Sequence, residues 1–372
     1  MKFNTGLILI ILFIFSCGHK KETPAPAYEG TPYTLNYPFY FKGSLNIPSN
    51  NPMTVEGVKL GRMLFYEKML SADNSISCGN CHKQKFAFSD SLAFSTGVGG
   101  TLGARNAIAL SNLAFQSNFF WDGKAASLEL QVPFPIQNPL EMHQSMDSVI
   151  NKLQATSIYP PLFKAAFGSD AITSDYITKA ISQFERTLVS YRSRYDQYLA
   201  GNPNALNAQE LSGFELFQTH PLTLLDPGVT EPLQGANCGD CHQGTLLTIE
   251  QTYLNNGLDS VFKDPGREDV TGLSTDLGTF KIPSLRNIAL TAPYMHDGRF
   301  ATLQDVLAHY NEHVVQSATM SPKMFASNTY GPNSTVLALT QDQINDVLAF
   351  LYTLTDSAYI SDTTLSNPFQ KP

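Results

Sequence analysis

The sequence predicts a mainly α-helical protein with two domains and long loops between the helices. The chain has 372 residues, which is enough for two domains of ordinary size. Several segments repeat apolar residues at steps of three and four, whereas no convincing run alternates as a strand would. The pentapeptide Cys-x-x-Cys-His occurs twice, at Cys78–His82 and Cys238–His242. Each predicted domain therefore contains one copy of this motif.

The Cys-x-x-Cys-His pattern is typical of the covalent attachment site of a c-type haem. The alternatives are a zinc site or a disulfide. A four-cysteine zinc ribbon places its pairs about 15–20 residues apart, whereas these pairs begin at positions 78 and 238, and a redox Cys-x-x-Cys needs no following histidine. The spacing therefore predicts two cytochrome c-like domains with one haem each. Attachment is predicted through Cys78, Cys81, Cys238 and Cys241, with His82 and His242 as iron ligands.

The N-terminus resembles the export signal of a bacterial lipoprotein. Lys2 precedes an apolar run over residues 7–15, which is too short to span a bilayer comfortably. The run ends at Ser16, and Cys17 is the one cysteine outside the two motifs. We therefore predict a lipoprotein-type signal peptide over residues 1–17 with lipid on Cys17. The alternative is an ordinary secretion signal, and either signal predicts an exported, periplasmic chain.

The rest of the chain is predicted to divide near residues 201–206. Residues 18–51 form a proline-containing tether and N-terminal extension. Residues 52–203 form the N-terminal haem domain, and residues 204–360 form the C-terminal one. The net charge of −8 argues against a nucleic-acid partner and mildly favours a basic partner.

Apolar periodicity predicts the individual helices. Leu60, Leu64 and Phe65 share one face of a helix before the first haem motif. The clearest pattern covers residues 174–199, which we predict to be a single helix that ends before Gly201. Three further helices begin with capping-box pairs, namely Asn207 with Glu210, Thr302 with Asp305, and Thr340 with Gln343. Residues 86–125 and 221–300 lack periodicity and are predicted to be mostly loops.

Seven further sequence blocks flank the two haem motifs. They are residues 60–66 (LGRMLFY), 87–90 (AFSD), 105–106 (RN), 120–125 (FWDGKA), 137–142 (QNPLEM), 283–287 (PSLRN) and 291–298 (TAPYMHDG). In order and spacing these blocks resemble the bacterial dihaem cytochrome c peroxidases and the related MauG enzymes of methylamine utilisation. The resemblance covers roughly residues 52–355. It implies that the N-terminal haem binds peroxide and that the C-terminal haem handles electrons.

The resemblance also implies how the N-terminal iron is exposed. Many family members carry a histidine in the loop after the first motif, and this histidine caps the iron until the enzyme is reduced. Residues 83–104 contain no histidine, and residues 95–103 are rich in glycine. We therefore expect a five-coordinate or water-bound iron on His82, ready for peroxide without prior reduction. The alternative is a cap from outside this loop, by Met63, Met69 or His143.

Four residues match positions around the peroxide site of the family. Glu141 matches the distal glutamate, for which an apolar pocket would raise the pKa toward the value an acid/base group needs. The alternative for a glutamate in this loop is a solvated carboxylate. Gln131 matches a second distal polar group, and Pro135 a position lining the same pocket. Trp121, the only tryptophan, matches the indole between the two haems that can relay an electron.

The sixth ligand of the C-terminal haem departs from the usual peroxidase pattern. Peroxidases usually place a methionine fourteen residues after the histidine of the Pro-Tyr-x-His-Asp-Gly block, and here that position is Tyr310. MauG-type enzymes carry a tyrosine there. Methionine raises a haem potential, whereas tyrosinate favours the oxidised states and so suits the storage of oxidising equivalents. The alternatives are a core role for Tyr310 and ligation by His309, His313, Met295, Met320 or Met324.

Asn106, Thr291 and Pro293 match positions that bind a calcium ion between the domains of the family. An amide oxygen, two backbone carbonyls and waters are suitable calcium ligands. The residues themselves form no carboxylate-rich motif, so this expectation rests on the resemblance alone.

Three functions are compatible with these patterns. The first is a peroxidase that reduces hydrogen peroxide with electrons from an exported donor such as a small c-type cytochrome. The second is a MauG-like enzyme that uses peroxide to oxidise a partner protein, and Tyr310 favours it. The third is a dihaem electron carrier, although the missing loop histidine argues against it. The peroxidase is our leading prediction, and the family resemblance also implies a possible homodimer.

Overall fold

The computed structural model describes residues 30–41, 45–222, 226, 228–324 and 336–370. The predicted signal peptide, Cys17 and the first part of the tether lie outside these residues. Within the described ranges, no helix combines the length and the apolar character needed to cross a membrane.

The described residues form a mainly helical protein, as predicted. The α-helices are α1 (Val55–Tyr66), α2 (Cys78–Cys81), α3 (Leu128–Gln131), α4 (Pro133–Gln137), α5 (Met146–Gln154), α6 (Tyr159–Phe167), α7 (Ser174–Arg186), α8 (Arg194–Leu199), α9 (Ala208–Gln218), α10 (Glu268–Thr271), α11 (Leu303–Glu312), α12 (Gln341–Tyr352) and α13 (Ser357–Ser361). Two short antiparallel strands, β1 (Tyr253–Leu254) and β2 (Phe280–Lys281), pair Tyr253 with Lys281. Long loops connect these elements, in agreement with the missing periodicity of residues 86–125 and 221–300.

The N-terminal core is organised around the packing of α1 on α7. Leu60 and Leu64 of α1 and Ile181 of α7 are fully buried in it. The two helices approach closely because α1 carries glycine at the contact. A Cβ atom at Gly61 would lie 1.8 Å from the backbone oxygen of Ala180. A larger residue at Gly61 would therefore push the two helices apart.

The C-terminal core repeats this arrangement with α9 and α12. Phe217 of α9 and Val347 and Phe350 of α12 are buried together. Here the close contact is made by Gly213, where a Cβ atom would lie 1.9 Å from the backbone oxygen of Asp346. Each haem motif is thus supported by one pair of helices that touch through glycine.

The prediction of one helix over residues 174–199 was wrong, because the chain leaves the helix after Arg186 and starts α8 at Arg194. Side chains satisfy the backbone in between. Asp356 accepts hydrogen bonds from the amides of Tyr191 and Arg192 at 3.0 and 2.9 Å. Ser193 then caps α8 in a reciprocal pair with Asp196. These long-range partners compete with helix continuation and cannot be recognised from apolar periodicity.

The three predicted capping boxes are confirmed. Asn207, Thr302 and Thr340 are the N-caps of α9, α11 and α12, and each pairs reciprocally with the third residue of its helix. Local side chains therefore fix the starts of the helices that form the C-terminal core.

Each half contributes buried residues to the core of the other half. Tyr195, which precedes the predicted boundary, is buried in the C-terminal core. Tyr359 and Leu365, which follow α12, are buried in the N-terminal core. The Tyr359 hydroxyl donates to the backbone oxygen of Leu110 at 2.6 Å. The two halves are therefore interlocked, and the boundary near residues 201–206 stays a prediction.

Candidate haem sites and active site

The first Cys-x-x-Cys-His motif is shaped by its own small residues. Asn80 Oδ1 accepts from the backbone amide and hydroxyl of Ser77, both at 3.0 Å, which fixes the start of α2. Gly79 lies against the Tyr66 ring, and a Cβ atom there would be 2.5 Å from a ring carbon. The residues between the two cysteines thus hold the peptide against α1.

The histidines of both motifs are held in the same way. His82 Nδ1 lies 2.9 Å from the carbonyl oxygen of Phe88, and His242 Nδ1 lies 3.1 Å from that of Leu247. A carbonyl can only accept, so Nδ1 carries the proton and Nε2 is left as the electron-pair donor for a metal. Phe88 and Leu247 both adopt positive φ angles, +59° and +53°, which turn their carbonyls toward the rings.

The four motif cysteines fit covalent haem attachment. All four are free thiols that form no disulfide with one another. Burial raises the pKa of each thiol, to about 12 for Cys238 and about 11 for Cys241. Burial lowers the pKa of both histidines, to about 4 for His242, so their rings are neutral and suited to iron. The donor set of each motif therefore fits a c-type haem.

The N-terminal motif opens into a cavity of about 920 Å³ with a polar distal wall. Gln131 and Glu141 both line it together with His82. Pro135 is not among the lining residues, and its carbonyl accepts from the backbone of Met142 at 3.1 Å. The structure therefore brings Gln131 and Glu141 together with the predicted iron ligand, but not Pro135.

The three alternative ligands for the N-terminal iron lie away from this cavity. Met63 and Met69 pack against the N-terminal core, and His143 is exposed. None of the three is among the residues that line the cavity. This arrangement supports the expectation of an open iron position, which stays a prediction.

Glu141 is held in the cavity wall by its neighbours. The Asn138 side-chain amide donates to Glu141 Oε1 at 2.7 Å. The glycine-rich loop supports it from behind, because the Val98 amide donates to the Glu141 carbonyl at 2.8 Å. Burial raises the pKa of the Glu141 carboxyl, and the Asn138 hydrogen bond and the charge of Lys124 oppose this rise. Glu141 is thus a fixed carboxyl whose pKa lies above its ordinary value.

The C-terminal motif opens into a smaller cavity of about 230 Å³ with a largely apolar lining. Tyr310 lines it, and its hydroxyl accepts from the Asn256 side-chain amide at 3.1 Å. Burial raises the pKa of Tyr310 to about 12, and the Asn256 hydrogen bond opposes this rise. Among the alternative ligands, Met295 and Met324 also line the cavity, whereas His309, His313 and Met320 do not.

A common wall separates the two cavities. Trp121, Phe280, Lys281 and His296 line both of them. The Trp121 indole donates to the backbone oxygen of Asn106 at 2.8 Å, and the Trp121 carbonyl accepts from the Lys281 amide at 2.7 Å. The single tryptophan therefore lies between the two predicted haem sites and is fixed on both sides by backbone hydrogen bonds.

The three predicted calcium ligands line one cavity, and the calcium site stays a prediction. Asn106, Thr291 and Pro293 all line the C-terminal cavity. Their oxygen atoms are a suitable donor set for calcium. The described residues contain no cluster of three or more His, Cys, Asp or Glu side chains that could hold a metal ion. An ion at this place would thus depend on amide and carbonyl oxygens.

Several residues of these walls were not predicted from the sequence. Asn138 and Asn256 hold the predicted functional side chains, and their positions give no sequence signal of this role. Glu185 lines the N-terminal cavity and is almost fully buried. It follows Ile177 and Ile181 at steps of four on α7, so a glutamate on the apolar face of a helix was a usable signal.

Comparisons with known proteins agree with this geometry. Residues 55–204 match the family model described as di-haem cytochrome c peroxidase. The chain is 35% identical to cytochrome c551 peroxidase of Nitrosomonas europaea, over 83% of each chain. It is 33% identical to the methylamine utilization protein MauG of Methylorubrum extorquens, over 92% of this chain and 90% of that one. A crystal structure of a MauG-like protein associated with microbial copper homeostasis superimposes with a TM-score of 0.79 at 32% identity, covering 91% of this chain and all of that one.

Proposed function

The chain belongs to the di-haem cytochrome c peroxidase family, and we propose that it reduces hydrogen peroxide to water with electrons from an exported donor such as a small c-type cytochrome. Two c-type haems are its cofactors. The observation that carries the proposal is the N-terminal cavity, where Glu141 and Gln131 share a wall with His82 while Met63, Met69 and His143 lie elsewhere.

Glu141 is the acid/base group in this proposal. When bound, the N-terminal haem supplies a coordination position for peroxide and the two electrons that cleave its O–O bond. Reduction of one H₂O₂ with two electrons and two protons gives two waters. The ionised Glu141 carboxyl accepts the proton of one peroxide oxygen and returns it to the departing oxygen. Asn138 keeps the carboxyl in position, and Gln131 offers a side-chain amide on the same wall.

Trp121 is the proposed link between the haems. Its ring lies in the wall shared by both cavities, and its indole N–H and its backbone carbonyl are both hydrogen-bonded. A fixed aromatic ring at this place shortens the distance over which an electron crosses protein. His242 and, in our proposal, Tyr310 would hold the C-terminal haem, which would supply the point at which electrons from the donor enter.

Rapid mixing of the fully ferric, dihaem protein with hydrogen peroxide tests the proposal, with and without a reduced c-type cytochrome. We expect fast, peroxide-dependent oxidation of the cytochrome without any prior reduction of the protein. A protein that reacts with peroxide only after reduction would contradict the open iron position. A protein that never oxidises the cytochrome would contradict the peroxidase function.

Tyr310 favours a second candidate, a MauG-like enzyme that uses peroxide to oxidise a partner protein. Tyrosinate ligation stabilises the oxidised states of a haem and lowers its potential. Such a site accepts electrons from a cytochrome less readily than a methionine-ligated one and suits the storage of oxidising equivalents. In the same experiment, this function predicts a long-lived spectral change after peroxide addition with little cytochrome oxidation.

We further propose a calcium ion held by Asn106, Thr291 and Pro293, and an exported, periplasmic location with a lipid anchor on Cys17. A homodimer stays a prediction. The anchor is tested by cell fractionation of a Cys17→Ala variant. We expect release of the protein from the membrane fraction, and unchanged retention would contradict lipidation at Cys17.

A further inference from the structure

Glu185 is a buried carboxyl in the wall of the N-terminal cavity. It lies at the end of α7 and is 4% exposed. Its Oε2 atom forms no hydrogen bond within the part of the chain that the structure describes. The neighbouring Arg186 does not pair with it, because the Arg186 guanidinium binds both oxygens of Glu129 at 2.8 and 3.1 Å. The arginine that could have neutralised Glu185 is thus already engaged.

The Glu185 side chain points toward the N-terminal haem site. It lines the same cavity as Cys81 and His82. It is also close enough to Cys78 that its negative charge raises the pKa of that thiol. Haem attached to Cys78 and Cys81 would therefore have the Glu185 carboxyl close to one edge.

Two charged groups act directly on Glu185. Glu129 lies on α3, and Arg186 follows on α7 itself. The negative charges of Glu185 and Glu141 both raise the pKa of the Cys78 thiol, and Cys78 in turn raises the pKa of Tyr66 on α1. The charged side chains of α5 and α6, which also pack on α7, are not among the groups whose charge acts on Glu185.

The protonation state of Glu185 follows from this environment. An ionised carboxylate without a partner is costly to bury, so burial favours the neutral form. Burial raises the pKa of Glu185 to about 8; the positive Arg186 opposes the rise and the negative Glu129 adds to it. The neutral form is therefore favoured, and a change of nearby charge can shift the balance between the two forms.

We propose that Glu185 is the proton-accepting partner of the N-terminal haem, taking up one proton when the iron gains an electron. In this step the iron would gain one electron from a one-electron donor such as a reduced c-type cytochrome, and the Glu185 carboxylate would take one proton from water to become the neutral acid. The electron makes the site more negative, which favours the protonated carboxyl. Oxidation of the iron then releases the proton. Glu185 thereby keeps the net charge of a poorly solvated site constant during electron entry.

Glu185 and Glu141 differ in a way that separates their roles. Glu141 accepts a hydrogen bond from Asn138, whereas Glu185 Oε2 has none within the described residues. Glu141 is therefore better able to hold a negative charge, as its role toward peroxide requires. This inference concerns reduction of the haem and does not depend on whether peroxide is the substrate.

The test is a spectroelectrochemical titration of the N-terminal haem at a series of pH values on both sides of about 8. In the dihaem protein we expect the equilibrium constant for reduction to fall about tenfold per pH unit over part of this range, or about 59 mV for one electron. In Glu185→Gln this dependence should vanish over the same range. Glu215→Gln, at an exposed position of α9, is the matched control and should retain the dependence.

Two results would overturn the proposal, namely a potential of the unaltered protein that does not change with pH, and a Glu185→Gln protein with the original slope. If Glu185→Gln does not retain haem, Glu185→Asp keeps the carboxyl on a shorter side chain. It should show the slope in a different pH range, and a slope in the original range would contradict the proposal. Proton uptake on reduction of the unaltered protein, followed with a pH indicator, gives an independent readout, and its absence would also contradict the proposal.

Discussion

The two haem sites share their proximal side and differ on their distal side. In both motifs the histidine Nδ1 donates to a backbone carbonyl five or six residues later, and the acceptor residue has a positive φ angle. The N-terminal cavity is lined by Glu141, Gln131 and the buried Glu185. The C-terminal wall instead presents Tyr310 among apolar side chains such as Leu303 and Leu307.

The Cys-x-x-Cys-His motif thus determines which cofactor is bound but not which reaction takes place at it. Identical motifs give equivalent proximal ligands, since their geometry is set by short-range hydrogen bonds. Side chains that come from elsewhere in the chain then decide whether a site handles protons or holds an electron. This interpretation would be wrong if substitutions in one distal wall left the reactivity and the potential of its haem unchanged.

The largest effect is expected for Glu141→Gln. Glutamine keeps the size and the contact with Asn138 but cannot accept a proton from peroxide. We expect the rate constant for the ferric protein with hydrogen peroxide to fall by about 10²–10⁴-fold in stopped-flow measurements. Glu215→Gln, at an exposed position of α9, should react at the original rate. A full-rate Glu141→Gln protein would remove this residue from the mechanism.

The pH dependence of the same reaction sharpens the assignment. Glu141 acts in its ionised form, so the rate should fall as the pH falls through its pKa. Because burial raises this pKa, the loss should begin at a higher pH than for an ordinary glutamate. The rate should drop up to tenfold per pH unit below the pKa, and this limb should be absent from the profile of Glu141→Gln. An identical limb in the variant would assign it to another group.

At the C-terminal site, Tyr310→Phe tests the predicted sixth ligand. Loss of an anionic oxygen ligand should change the low-spin ferric EPR signal and raise the haem potential, within the roughly 0.8 V range that axial ligands cover. Tyr352→Phe, a half-exposed position on α12, is the matched control and should leave the EPR spectrum unchanged. If Tyr310→Phe keeps the original spectrum, Met295 and Met324 become the leading candidates, since both line the cavity.

Calcium removal tests whether the wall between the sites is held by an ion. Asn106→Ala should weaken calcium binding by at least about 10–100-fold, the range seen when outer-shell partners of metals are removed. Asn106 also accepts from the Trp121 indole through its backbone oxygen. Chelation should therefore slow electron transfer between the haems, and added calcium should restore it in the unaltered protein. Chelation without effect, together with no measurable binding by calorimetry, would exclude the site.

Some of these features could be predicted from the sequence because their causes are local. The haem motifs and the capping boxes at Asn207, Thr302 and Thr340 depend on residues within five positions of one another. Glu141, Gln131 and Trp121 came from a resemblance to a family, and the structure brings them to the walls of the predicted haem sites. The break in the helix after Arg186 depends on Asp356, which lies far away in sequence. No local pattern contains that information.

The environment of Glu185 could be predicted only in part from the sequence. Its place on the apolar face of α7 was visible, but the engagement of Arg186 by Glu129 was not. An adjacent arginine in the sequence suggests neutralisation, whereas the fold directs the two side chains to different surroundings. The structure was therefore needed to show that Arg186 pairs with Glu129 and does not neutralise Glu185.

The smallest effect is expected for substitution of the glycines inside the two motifs. A Cβ atom at Gly79 would lie 2.5 Å from the buried Tyr66 ring, whereas at Gly239 the nearest atom, Cα of Gln218, lies at 3.0 Å. We expect Gly79→Ala to lower the free energy of unfolding by about 1–3 kcal/mol, the usual cost of overpacking. Gly239→Ala should cost less, since only a few tenths of an ångström must be gained. Denaturant titrations of the two holoproteins would measure both values. Equal losses would show that the two motifs are packed equally tightly, and would contradict this difference between the two sites.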